Sequence, residues 1–223
     1  MELDYFDLVV NAFQDGFLFT SHYEDAPEET ASFRFQNQPI GALIVKSGQI
    51  GAADPFQPEE YIPFEETFPI GEFPVELSIV RIEEEGDDER IAFARIVFSQ
   101  QPTTDWEIAM RESSQDDPTY FPVDSTTAGF FDAAVADKIA QLADDDEDWF
   151  NEIETEMGKV YKDTRSWYVY PVDDLNIAFF TAGLGDGEYR TYLGIDANGE
   201  KTQLVIDFGL FEADEKESDE TDD

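Results

Sequence analysis

Apolar and polar positions alternate over Val75–Ile79, where Val75, Leu77 and Ile79 are separated by Glu76 and Ser78. A period of two puts one set of side chains on one face of an extended chain, so this stretch predicts a half-buried strand. In Ile91–Phe98 both alternating sets are largely apolar, which predicts a central strand covered on both faces. Trp106, Ile108 and Met110 alternate with Asp105, Glu107 and Ala109, giving a third strand. The acidic run Glu83–Glu89 between the first two reads as an exposed hairpin tip, so short antiparallel connections are expected. Three later runs, Ile177–Thr181, Glu188–Ile195 and Thr202–Phe208, also read as strands. Their connectors, Ala182–Gly187 and Asp196–Glu200, carry Asp-Gly or Asn-Gly turn chemistry, which predicts an antiparallel meander.

Helical spacing appears in the middle of the chain. Phe131, Val135, Ile139 and Leu142 form one apolar stripe behind Asp132. Trp149, Phe150, Ile153, Met157 and Tyr161 form a second, led in by Asp144-Asp145-Asp146, whose charges complement a helix N-terminus. Near the start, Phe6–Phe19 fits a strand or a short helix, and Glu24–Thr30 reads as an acidic loop. Ala42–Val45 and Gln49–Ala52 flank Lys46-Ser47-Gly48 and read as a hairpin. Pro55–Pro74 carries five prolines, which removes ladder donors and predicts an ordered loop or edge. Its aromatics, Phe56, Tyr61, Phe64, Phe68 and Phe73, predict that it packs onto the body. The fold class is therefore α+β: a mainly antiparallel sheet system, sandwich-like or a meander, with two central helices. One domain is expected over 1–211, with a disordered acidic tail over 212–223.

Composition sharpens this picture. The chain has 223 residues, 41% hydrophobic and 14% aromatic, ample for a packed core. Thirteen Lys and Arg against 53 Asp and Glu give a net charge of −40. The tail accounts for −7 of it, which leaves −33 on the body. Such a field repels phosphate and anionic lipid, which argues against nucleic acid and membranes, and attracts cations and basic proteins. Without Cys there is no disulfide, thiolate metal site or cysteine nucleophile. The acidic start lacks the positive flank of a signal peptide, and no apolar run nears the roughly 20 residues of a transmembrane helix. A cytoplasmic location is expected.

Several motifs invite a chemical reading. Gly183-Leu184-Gly185-Asp186-Gly187 resembles a phosphate loop, but the alternating Glu188–Leu193 follows it where a helix N-terminus is needed. A turn is the better reading. Asp196-Ala197-Asn198-Gly199 resembles part of a calcium loop, yet the first and twelfth positions fall on Gly194 and Val205. It reads as a hairpin turn. His22, the sole histidine, serves a relay only if it lies beside a nucleophile such as Ser125. Acids are too abundant to count, so setting is the filter. Asp54, Asp124, Asp132 and Asp186 stand in apolar or Gly-rich stretches, where a turn or cap role competes with a ligand site.

Asp54-Pro55, Phe68–Val75, Trp106–Ala109, Val123–Asp132, Gly183–Tyr189, Tyr192–Asp196 and Ile206–Phe208 follow one another as landmarks. In this order they resemble the bacterial domain-of-unknown-function family 4241. The resemblance covers roughly 45–208. It implies a bacterial cytoplasmic single domain and supplies no reaction. Where that family has Trp between the first two glycines of the late motif, this chain has Leu184. Taken with their setting, the ligand-binding candidates are Asp54, Trp106, Asp124, Asp132, Gly185, Asp186, Gly187 and Tyr189. Asp124, Asp132 and Asp186 are the candidates for a divalent cation, and no other cofactor is expected.

Three functional readings follow. The first is a non-catalytic interaction protein that binds a basic partner, as an inhibitor or immunity protein does. In the second, the acidity adapts the protein to high intracellular salt, which the low count of six Lys fits. The third is a hydrolytic or ligand-binding domain built on the Asp cluster.

Overall fold

The computed structural model describes residues 4–23, 26–57, 60–82, 88–112, 117–145 and 147–211. Residues 212–223, expected as a tail, and most of the acidic tip at 83–89 lie outside the described residues. The elements in chain order are α1 (Tyr5–Asn11), β1 (Leu18–Tyr23), β2 (Ala26–Val45), β3 (Ile50–Ala53), β4 (Gly71–Ile82) and β5 (Glu89–Val97). They continue as β6 (Asp105–Ile108), β7 (Tyr120–Val123), β8 (Thr127–Asp132), α2 (Ala136–Asp145) and α3 (Glu147–Val160). The last four strands are β9 (Trp167–Val172), β10 (Leu175–Thr181), β11 (Gly187–Ile195) and β12 (Lys201–Asp207).

All pairings between these strands are antiparallel, and they form two sheets of unequal width. The wide sheet has eight strands in the order β1-β2-β4-β5-β12-β11-β6, with β7 sharing the outer side of β11 with β6. The narrow sheet has four, in the order β3-β8-β10-β9. Together with the helices they build four layers and three apolar seams. Leu77, Ile96, Leu204 and Ile206 of the wide sheet meet Phe130, Ala178 and Phe180 of the narrow one. On the other face of the narrow sheet, Phe131, Ile177 and Phe179 meet Ile139 of α2 with Trp149, Ile153 and Met157 of α3. Leu8 and Val9 of α1 cover Val80, Phe93 and Val205 on the outer face of the wide sheet. The mainly antiparallel α+β expectation therefore holds, in its sandwich form.

Several local expectations are corrected. β2 and β3 are not a hairpin: β2 pairs with β4, and β3 pairs with β8 of the other sheet. The β10–β11 connector likewise crosses between sheets instead of turning a meander, whereas β11–β12 is a true hairpin. Phe131 belongs to β8 and not to a helix; α2 starts only at Ala136, after a 3-10 turn over Ala133–Val135. A third helix, α1, resolves the N-terminal ambiguity. Asp4 caps it by accepting from Phe6 N at 3.0 Å, the buried Ser78 Oγ donates to Ala12 O at 2.6 Å, and the Tyr5 hydroxyl donates to Asp207. Residues 26–30 begin the 20-residue β2 and are not loop.

The proline-rich segment packs as expected. Phe64 and Phe68 are buried in the sheet–sheet seam, and Tyr61 lies under the helices. Arg111, 3% exposed, clamps this segment through Glu60 Oε2 at 2.7 Å and also donates to Tyr120 O at 3.1 Å. Where β2 runs past the narrow sheet, Asn176 acts as a one-residue strand. It accepts from Ile44 N at 2.9 Å and donates to Ala42 O at 2.8 Å. Among the described residues no helix is long and apolar enough to cross a membrane.

Gly183 shows why the β10–β11 crossover is glycine-rich. A Cβ there falls 2.4 Å from Ile91 O and 2.6 Å from Leu210 Cδ1. Backbone packs where a side chain has no room. Gly183→Ala is expected to lower stability by about 1–3 kcal/mol through overpacking, measurable by urea denaturation.

Candidate functional site

Asp54 follows β3 and is fully buried. Its Oδ2 accepts from Asp124 N at 2.9 Å and Ser125 N at 2.7 Å, and its Oδ1 accepts from Ser125 Oγ at 2.7 Å and Phe56 N at 3.0 Å. It is the cap of the β7–β8 turn. Asp124 and Asp186 lie at the same turn: Asp124 Oδ2 accepts from Gln57 Nε2 at 2.9 Å, and Asp186 Oδ1 accepts from Thr126 N at 3.0 Å. Thr126 has φ +57°, a conformation disfavoured for a β-branched residue. The Tyr189 hydroxyl donates to Gly185 O at 2.8 Å, and Gly187 starts β11, so the Gly loop is braced by its own neighbour.

Asp132 is elsewhere. It ends β8 six residues on, buried, accepting from Lys46 N at 2.6 Å, Ser47 N at 2.8 Å and Ala134 N at 2.8 Å. It holds the β2–β3 crossover and the 3-10 turn together. Trp106 is on the outer face of the wide sheet, stacked on Phe6 of α1 at 5.1 Å. The fold thus gathers Asp54, Asp124, Gly185, Asp186, Gly187 and Tyr189 around one turn and leaves Asp132 and Trp106 apart. Among the described residues no three His, Cys, Asp or Glu side chains are grouped to hold a metal ion. His22 lies in β1 and Ser125 follows β7, at opposite edges of the wide sheet. Six inter-strand steps separate these edges, about 29 Å, far beyond a proton relay.

A different region has the shape of a site. Because the narrow sheet spans only half of the wide one, part of the inner face near β6 is left for the 60–70 segment to cover. At that margin lies a cleft of about 650 Å³, within the range of ligand pockets. Leu193 and Ile195 of β11 line it together with Glu66, Asp105, Glu107, Asp196 and Lys201. The β6–β11 register sets Glu107 opposite Leu193 and Asp105 opposite Ile195, so these acids stand on the cleft face of the strand.

Glu66 is the unusual group. Its Oε1 accepts from Met110 N at 3.5 Å, while its Oε2 is buried with no hydrogen-bond partner. Burial holds its carboxyl above the usual range against the opposing pull of Lys201. Asp196 is the contrast. The N–H groups of Glu200 and Asn198 hold it below the usual range as it closes the β11–β12 turn. The calcium-like reading of Asp196–Gly199 therefore gives way to the expected hairpin turn. The cleft can hold a cation: an ammonium or guanidinium head against Glu66, its methylene stem along Leu193 and Ile195. Sequence motifs touched some of these residues, Glu107 within Trp106–Ala109 and Leu193, Ile195 and Asp196 within Tyr192–Asp196, but none included Glu66 or joined them into one site. The available signal was Glu66, an acid lying two residues from each of two buried rings, Phe64 and Phe68.

The family model described as "Protein of unknown function (DUF4241)" matches residues 43–206, which include every lining residue named above. No curated protein matches the chain, and no solved structure matches it.

Two stability outcomes separate these roles. Asp54→Ala leaves buried N–H groups unpaired and is expected to cost about 3 kcal/mol or more, against under about 1 kcal/mol for Asp124→Asn, by chemical denaturation. For Glu66 the folded carboxyl sits above its unfolded value of 4.5, so the folded state binds more protons in that window and stability falls as pH rises through it. Glu66→Gln is therefore expected to raise the melting temperature at pH 7, with the gain vanishing below about pH 4.5.

Proposed function

We propose a binding function for this chain, which belongs to the DUF4241 family: it is a non-catalytic interaction protein whose acidic cleft receives a basic side chain of a protein partner. The observation that carries this reading is the Glu66 carboxylate, half-buried at the cleft with one oxygen unpartnered. A buried acceptor without a donor costs about 1–3 kcal/mol, a cost that an arriving cation removes. The surroundings agree with this role. Asp105, Glu107 and Asp196 outnumber Lys201 at the cleft, and the net charge of −40 steers basic molecules toward the protein from a distance. In contrast, the carboxylates of Asp54 and Asp132 are saturated by backbone N–H groups, which supports a structural role over a catalytic one.

At an effective dielectric constant of 20 to 80, one carboxylate about 4 Å from a cation is worth about 1–4 kcal/mol. Removing two is therefore expected to cost at least about tenfold in affinity. The measurement is fluorescence anisotropy with a labelled hexa-arginine peptide. The variant is Glu66→Gln with Glu107→Gln, and Asp124→Asn with Asp186→Asn removes equal charge elsewhere. Specific weakening in the cleft variant is expected. Equal weakening in both variants means that the whole surface, and not this cleft, binds the peptide.

A further inference from the structure

The backbone beside the cleft is half covered. β6 lies at the end of the wide sheet and pairs only with β11 among the described residues. Ala109 N donates to Thr191 O at 2.9 Å, so Ala109 turns its backbone toward β11. Met110, next in line, turns away, and its C=O accepts from Glu65 N at 2.8 Å. Together with Glu112 N donating to Pro63 O at 2.9 Å and the Phe64–Arg111 bridge, this makes 63–65 a short antiparallel stand-in strand along 110–112.

That stand-in stops at Glu66. The chain turns inward because Phe68 is buried in the sheet–sheet seam and its N–H donates to Gly48 O at 2.7 Å. Backbone direction alternates along a strand, so Trp106 and Ile108 share the outward orientation of Met110. Past Glu66 no strand covers them among the described residues. The Trp106 N–H is engaged locally by Asp105 Oδ1 at 2.9 Å. This uncovered edge borders the cleft, since Asp105 and Glu107 belong to both.

We infer that the open edge of β6 takes up an extended segment of the basic partner as an added antiparallel strand, continuing the line of 63–65. This rests on the binding function proposed above and specifies its geometry. Strand addition uses main-chain hydrogen bonds for affinity and alternate side chains for selectivity. On the cleft face the added strand meets Asp105 and Glu107, which calls for Lys or Arg at every second position. On the other face it meets the half-buried Trp106 and Ile108, which calls for apolar residues between them. A second copy of this chain is a poor occupant, because edge acids repel one another and block edge-to-edge pairing. Charge complementarity therefore selects a basic, alternating segment.

The pleat makes the test specific. In the added strand, residues opposite Trp106 and Ile108 share their face and aim their own N–H groups at β6; those facing the cleft aim theirs away. The probe is a labelled seven-residue peptide alternating Lys and Val, with capped ends, on the full chain. N-methylation of the Val amides is expected to weaken binding at least tenfold, while N-methylation of the Lys amides changes it less than twofold. Slowed hydrogen exchange at Ile108 accompanies binding of the unmodified peptide. Equal affinity of all three peptides, with weakening by Glu66→Gln/Glu107→Gln intact, overturns strand addition and leaves the cleft as the binding site. Unmodified peptide that fails to bind, or binds that double variant as tightly as the parent, overturns both.

Discussion

Eight strands facing four is the constraint on which the remaining architecture depends. An apolar sheet face has to be covered, and the narrow sheet reaches across only part of the wide one. The proline-rich segment supplies the missing cover with Phe64 and Phe68, each ring contributing about 1.5–3 kcal/mol of burial. Proline suits this role, since the segment packs through side chains and needs few ladder donors. Its path also explains the cleft, because cover made of two rings and a clamped loop ends abruptly at Glu66. The uncovered margin and the uncovered strand edge have the same origin.

Buried carboxylates do the fastening at the crossovers between the sheets. Asp54 binds the turn that enters β8, and Asp132 binds the turn that enters β3. Each collects backbone N–H groups that the sheets leave unpaired at their ends, a strong charge-assisted interaction in a dry setting. Several of the few cations are likewise committed: Arg111 to Glu60, Arg95 to Glu76, and Arg165 with Lys162 to Glu89. In Glu89 burial pushes the carboxyl up, but these two partners outweigh it and hold it below its usual range. Cations spent on internal ties cannot neutralise the surface, so the acids at the cleft act with little opposition.

Strands with an alternating pattern or with turn chemistry at their ends were legible, and β8 was not. The alternation of Val75, Leu77 and Ile79 located β4, and the apolar run at Ile91–Phe98 placed β5 correctly in the middle of a sheet. β8 escaped because all six of its residues are buried, so no polar phase exists to read. The Phe131–Leu142 stripe imitated a longer helix because Phe131, on a strand, and Ile139, on α2, face the same seam. Of the marked residues, six do meet at one turn, yet local motifs cannot show whether their oxygens point to a ligand or to backbone N–H groups. No single motif spans the cleft, since its residues come from β6, β11, the β11–β12 hairpin and the proline-rich segment.

Composition and periodicity by themselves determined the fold class, the strong negative charge and the tight β11–β12 hairpin, because each depends on neighbours along the chain. Tertiary structure alone decided which strands share a sheet, and therefore that Lys46–Gly48 and Gly183–Gly187 are crossovers and not hairpins. Turn chemistry is the same for both outcomes; the choice lies in which distant strand offers a matching apolar face. It also decided that Glu66, one acid among 53, keeps a buried oxygen without a donor. That depends on where the covering segment ends, a distance no spacing in the chain encodes.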